Sequence, residues 1–102
     1  FIDRFSDTLF EGYRQQQRIE PVRYVALQAV RDWVCYQLRI SHSIFQEQLQ
    51  KLFARSLRGE GKYMLGLEVD LTPQERQRYQ HLNIRPVMMN GSARYIITMR
   101  PR

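Results

Sequence analysis

The hydrophobic positions of the chain change period several times, and each change marks an element. Phe1, Phe5, Leu9 and Tyr13 recur every four residues, which predicts one apolar stripe of a helix over 1–18. Asp3 and Asp7 lie early in it, where the helix dipole favours negative charge. A second helix is expected over 21–39. Pro21 suits its first position, and Val22, Val25, Ala26, Ala29, Val30, Trp33, Cys35 and Tyr36 form a wide apolar face. Trp33 is expected near the middle of the core. A third helix follows over 43–57, with Phe45, Leu49, Leu52, Phe53 and Leu57 as its stripe. Ser43 and Gln46 have capping-box spacing, and Gly59 and Gly61 supply the stop.

The period then drops to two. Tyr63, Leu65, Leu67 and Val69 alternate with Lys62, Met64, Gly66 and Glu68, the pattern of a half-buried strand. Thr72, Pro73 and Glu75 mark the start of a short helix over 73–82. Asn83 fits a left-handed end. Tyr79 and Leu82 are the anchors of this helix, whose other positions are polar. Last comes a hairpin around Asn90-Gly91, the pair favoured in a two-residue turn where both positions take positive φ. Pairing Met89 with Ser92 puts Met88 opposite Ala93, Pro86 opposite Tyr95 and Ile84 opposite Ile97. That register predicts a core face of Ile84, Pro86, Met88, Ala93, Tyr95 and Ile97. Arg85, Val87, Arg94 and Ile96 fall on the outer, basic face. The fold class expected is α+β: three to four helices with a small antiparallel sheet ending in a C-terminal hairpin.

Length and composition bound this picture. The 102 residues fit a single domain over 1–102, with 1–20 as an N-terminal helix and connector and 21–102 as the core. Since the chain begins with Phe, it is expected to be part of a larger protein. At 43% hydrophobic residues a packed core is expected. No apolar run reaches the roughly 20 residues of a membrane helix. The lone cysteine, Cys35, lies between Val34 and Tyr36 and is expected to act as buried filler. A single cysteine makes no internal disulfide, which suits a reducing, cytoplasmic setting.

Charge changes the picture further. The net charge is +6. Residues 1–50 hold six Arg against six Asp or Glu, and residues 51–102 hold ten Lys or Arg against four. The excess therefore belongs to the second half, a composition suited to a polyanion such as nucleic acid.

Catalytic chemistry finds little support. His42, His81, Cys35 and the scattered acids lack the paired spacing of a metal site. His42 adjoins Ser41 and Ser43 in sequence, where a helix cap explains the serines. The Gly-Glu-Gly at 59–61 follows a helix and lacks a phosphate loop's Lys-Ser/Thr pair. Glu68 and Asp70 share a strand face with no basic neighbour to tune them. The domain is expected to be no enzyme, with no cofactor, no metal and no small-molecule substrate.

A helical core closed by a basic hairpin resembles the winged-helix class of helix-turn-helix domains, over roughly residues 21–100. That resemblance implies binding to double-stranded DNA, with a recognition helix in the major groove and a hairpin wing beside it. It allows two alignments. In one, 73–82 is the recognition helix, with Gln74, Gln77, Arg78 and His81 toward DNA. In the other, 43–57 takes that role, with Gln46, Gln50 and Lys51 toward DNA, and the 73–82 helix interrupts the wing. Arg85, Arg94, Arg100 and Lys62 are the candidate phosphate contacts. The alternative is a protein-interaction or homodimerisation module, resting on the Pro86 strand, Met88, Met89 and the aromatic first helix. A membrane-surface role lacks the amphipathic basic helix it needs.

Overall fold

The computed structural model describes residues 1–19, 24–69 and 71–102. The expected helix start at Pro21, the apolar position Val22 and the carboxylate of Asp70 lie outside them. The fold is α+β. In chain order it comprises α1 (Ile2–Ile19), β1 (Val25–Ala26), α2 (Leu27–Leu38), α3 (His42–Leu57), β2 (Tyr63–Glu68), α4 (Pro73–His81), β3 (Val87–Met89), β4 (Ser92–Arg94) and β5 (Ile96–Pro101). Strands β1, β5 and β2 form one antiparallel sheet in that spatial order, and β3 and β4 form a separate two-stranded hairpin.

The apolar stripes converge on one cluster. Phe5 and Leu9 from α1, Leu27, Val30 and Val34 from α2, and Phe45 and Leu49 from α3 are fully buried, and Ile97 joins them from β5. Phe5 meets Phe45 edge-on, with ring centroids 5.5 Å apart, a favoured aromatic geometry. The first helix thus shares the core of the rest of the chain. It crosses α2 at Gly12, whose missing side chain leaves room for the Trp33 indole. Trp33 is therefore half-buried at a helix crossing, displaced from the central position expected of it.

The second helix begins later than its periodicity suggests. Val25 and Ala26 are a strand, paired with Ile97 and Ile96, and Leu27 N–H donates to Tyr95 O at 2.9 Å. Sheet pairing overrides local helix propensity there. The helix ends at Arg39, in the left-handed region at φ 56°, so the turn into α3 spans only Arg39 to Ser41. The α3 cap is Ser41, whose hydroxyl accepts from Ile44 N–H at 3.1 Å, and not the expected Ser43–Gln46 pair. The short turn places Ser41 at the N-cap and leaves Ser43 inside the first turn.

In β2, Leu65 and Leu67 face inward as predicted, while Val69 lies beyond the strand and is exposed. The capping box of α4 forms: Glu75 N–H donates to Thr72 Oγ1, and Thr72 N–H donates to Glu75 Oε1, both at 3.2 Å. Tyr79 anchors this helix, but Leu82 is exposed because the chain leaves the helix there, with Asn83 at φ 56°.

The hairpin keeps the predicted turn and register, with Met89 opposite Ser92 and Met88 opposite Ala93. Its faces are reversed. Val87 and Met89 are buried, Met88 is 48% exposed, and Arg94 turns inward. The two-stranded ladder begins at Val87 and ends at Arg94, so Pro86 does not pair with Tyr95 or Ile84 with Ile97. Tyr95 breaks the strand, and beyond it Ile97 pairs with Val25 and Leu67 in the main sheet.

Candidate nucleic-acid interface

The α3 helix buries Phe45, Leu49 and Leu52. Helical spacing then puts Ser43, Glu47, Lys51, Ala54 and Arg58 on the opposite side, and all five are exposed. Lys51 Nζ pairs with Glu47 Oε1 one turn back, at 3.4 Å. Gln46, Gln50 and Phe53 run along the flank between these two faces and are half-buried.

The hairpin stands at that flank. Arg94 reaches in from β4, and its guanidinium carbon lies 5.7 Å from the centre of the Phe53 ring on α3. Its Nη1 donates to the backbone oxygen of Leu67 on β2 at 2.8 Å. Its Nε is buried with no hydrogen-bond partner among the described residues. One side chain thus ties three elements together. The expectation that Arg94 faces solvent as a phosphate contact is corrected: its head is spent inside the fold, because β4 turns its odd and even positions the other way.

The remaining expected contacts fall into two other regions. Gln74 and Arg78 line a cleft of about 500 Å3 between α4, the end of α1 and β1, whose walls include Ile19, Tyr24, Ala29 and Tyr79. Gln77 and His81 are exposed on the same helix. Arg85 follows α4; its backbone N–H donates to Gln28 Oε1 on α2 at 2.8 Å, and its side chain is exposed. Lys62 and Arg100 lie at the opposite end of the sheet. Arg100 pairs with Met64 across the ladder, four residues from the Glu68–Ile96 pair where the chain re-enters the sheet after the 87–94 hairpin. At about 3.3 Å per residue that is roughly 13 Å. Lys62 Nζ is engaged with Asp7 Oδ2 at 3.2 Å, and Arg100 Nε lies 3.2 Å from Met64 Sδ. The eight expected contacts therefore do not share one surface.

Two features had no signal in the sequence. Arg102 donates from Nη2 to Ser56 O at 3.0 Å near the end of α3. Asp7 also accepts from the Tyr63 hydroxyl at 2.8 Å. That bond, with a second from Lys62, holds the Asp7 carboxyl below its usual range. Burial, then the Asp7 hydrogen bond, pushes Tyr63 up to about 12. Burial also pushes the Cys35 thiol up. Cys35 is half-buried, with Sγ 3.8 Å from Ser41 O. Among the described residues no group of three or more His, Cys, Asp or Glu is placed to hold a metal ion. Nor is any helix among them long and apolar enough to cross a membrane. Comparison with protein-family models, with curated proteins and with solved structures found no match.

Proposed function

We propose that this domain binds double-stranded DNA, with α3 as the helix that enters the major groove and the 87–94 hairpin lying against the neighbouring backbone. The observation that carries this is topological. With α4, β3 and β4 set aside, the order α1-β1-α2-α3-β2-β5 and the spatial strand order β1-β5-β2 are what a winged helix would have, and this likeness supports the reading. It supports the alignment in which α3 follows a three-residue turn and α4 with the hairpin is an insertion between the two wing strands. Gln46 and Gln50 would pair with adenine edges, and Lys51 with a guanine edge or a phosphate; each good paired contact discriminates by about 1–3 kcal/mol. Lys51, Arg58 and Arg85 would displace counterions from phosphates.

The test is fluorescence anisotropy on a random-sequence duplex pool at 50 and 200 mM salt. Three phosphate contacts give a slope near −2.7, a loss of about 40-fold between these conditions. The triple variant Gln46→Ala, Gln50→Ala, Lys51→Ala should bind more weakly and lose preference among sequences enriched from the pool. Absent or salt-insensitive binding by the native domain, or an unaffected triple variant with α3 still folded, rejects the proposal.

A further inference from the structure

We infer that Arg94 is a positioning residue that locks the hairpin onto α3, so that the helix and the wing are presented to DNA as one preformed surface. This rests on the DNA-binding reading above. The hairpin is a separate two-stranded unit, outside the three-stranded sheet. A lone hairpin is marginally stable in water, so its place depends on what it docks to. Val87 and Met89 supply apolar contact with the core. Apolar contact is non-directional, so it sets the hairpin's orientation less sharply than a hydrogen bond does. Arg94 adds direction: its Nη1 is fixed by the Leu67 carbonyl on β2, and its planar head lies over Phe53 on α3. A guanidinium can donate along its edge and stack on its face at once, whereas an ammonium is a compact point charge.

Phe53 shares its flank of α3 with Gln46 and Gln50. The lock therefore sets where the wing stands relative to the side chains that would read bases. Without it, the hairpin would make the same contacts in the complex, but each binding event would have to order it first.

Three variants test this: Arg94→Met keeps the stem and loses the donors, Arg94→Lys keeps the charge, and Phe53→Leu removes the ring. Two readouts are taken on each. Amide hydrogen exchange at 87–94 should quicken by about tenfold in the two Arg94 variants, the scale of one charge-assisted hydrogen bond, and by about two- to fivefold in Phe53→Leu, the scale of a cation–π contact, while amides of α1 and α2 keep their protection. Affinity for the duplex pool should fall by a similar factor with the salt slope unchanged, because Arg94 neutralises no phosphate. Losses in the Arg94→Met, Phe53→Leu double variant should be less than additive.

A phosphate-contacting Arg94 predicts otherwise: Arg94→Lys close to native, and Arg94→Met with a slope shallower by about 0.9. That result, or hairpin exchange unchanged in Arg94→Met, overturns the inference. Failure of the native domain to bind any duplex overturns the DNA-binding reading instead, and the exchange measurement still decides whether the hairpin is locked.

Discussion

Replacing Gly12 by Ala should destabilise the domain, although alanine is the better helix former. Gly12 lies in the interior of α1 and is not among the glycines with positive φ, so conformation does not require it there. Ala in place of Gly stabilises a helix interior by about 1 kcal/mol. Space opposes the change. A Cβ at position 12 would sit 2.8 Å from Trp33 Cε3, 3.3 Å from Cζ3 and 3.4 Å from Val30 Cγ1. Carbon atoms pack best about 3.5–4.0 Å apart, so the indole must retreat by roughly 0.7 Å and carry the α1–α2 crossing with it. Overpacking of this kind costs about 1–3 kcal/mol. Taking the middle of that range, the net loss is about 1 kcal/mol, or a melting temperature lower by about 4–8 °C.

The same substitution in a Trp33→Leu background removes the two closest atoms and leaves only the ordinary contact to Val30. There Gly12→Ala should stabilise by up to about 1 kcal/mol, so the sign reverses and the coupling between the sites is about 2 kcal/mol. Urea denaturation followed by far-UV circular dichroism measures all four proteins, and both single-site effects lie within reach of a domain stable by about 5–15 kcal/mol. Equal effects of Gly12→Ala in both backgrounds, within about 0.5 kcal/mol, would show that the indole does not set the helix approach.

Other expectations concern the periphery of the fold. Thr72→Ala should cost α4 about 1 kcal/mol, seen as faster amide exchange over 73–81. Tyr79 is the buried residue of that helix, so little else compensates for the cap. Tyr63, through burial and then its bond to Asp7, and Asp7, through its bonds to Tyr63 and Lys62, make stability depend on pH at both extremes. Tyr63 is raised to about 12 from about 10 when unfolded, so its contribution is intact below pH 10 and vanishes as pH rises to 12. Asp7 is lowered, so its contribution is intact above about pH 4 and is lost as pH falls through its folded value. Tyr63→Phe should flatten the alkaline limb and move the Asp7 titration upward by NMR; an unmoved Asp7 would refute the bond's role. Ser56→Ala should cost about 1–2 kcal/mol, since the Ser56 hydroxyl accepts from the part-buried Leu65 N–H at 2.9 Å. It should also raise self-association by analytical ultracentrifugation.

How much of this was legible in the sequence depends on whether a signal was local. The α4 capping box and the Asn90-Gly91 turn are complete within four residues, and both stand where the pattern puts them. The inward face of α3 was legible for the same reason, because one stripe of Phe45, Leu49 and Leu52 suffices. Leu57 continues that stripe on paper but is 72% exposed, since the chain turns away at Arg58. The strand at Val25–Ala26 was hidden inside an apolar run that reads equally well as helix. Only pairing with Ile96 and Ile97, some seventy residues on, makes it a strand. The candidate site was legible as a list of cationic residues and not as a surface. Arg94 and Arg100 are six residues apart, yet Tyr95 sends their strands into different sheets.

The reversed hairpin has a physical logic that a period of two cannot carry. Alternation fixes which residues share a face, while the choice of inward face belongs to whatever the strand meets. Here it meets α3 and the outer edge of β2. That strand ends the sheet, so its outward amides and carbonyls would template pairing with another chain. Ser56 takes the Leu65 N–H and Arg94 takes the Leu67 carbonyl, so side chains close the edge at two successive outward positions. An inward arginine is costly where nothing receives it. Here the Leu67 carbonyl takes Nη1 and the Phe53 ring lies beside the head, while Nε stays without a hydrogen-bond partner among the described residues; the same orientation brings Val87 and Met89 into the core. The basic face and the apolar face exchange places because the open edge of β2 needs a donor that the apolar face could not supply.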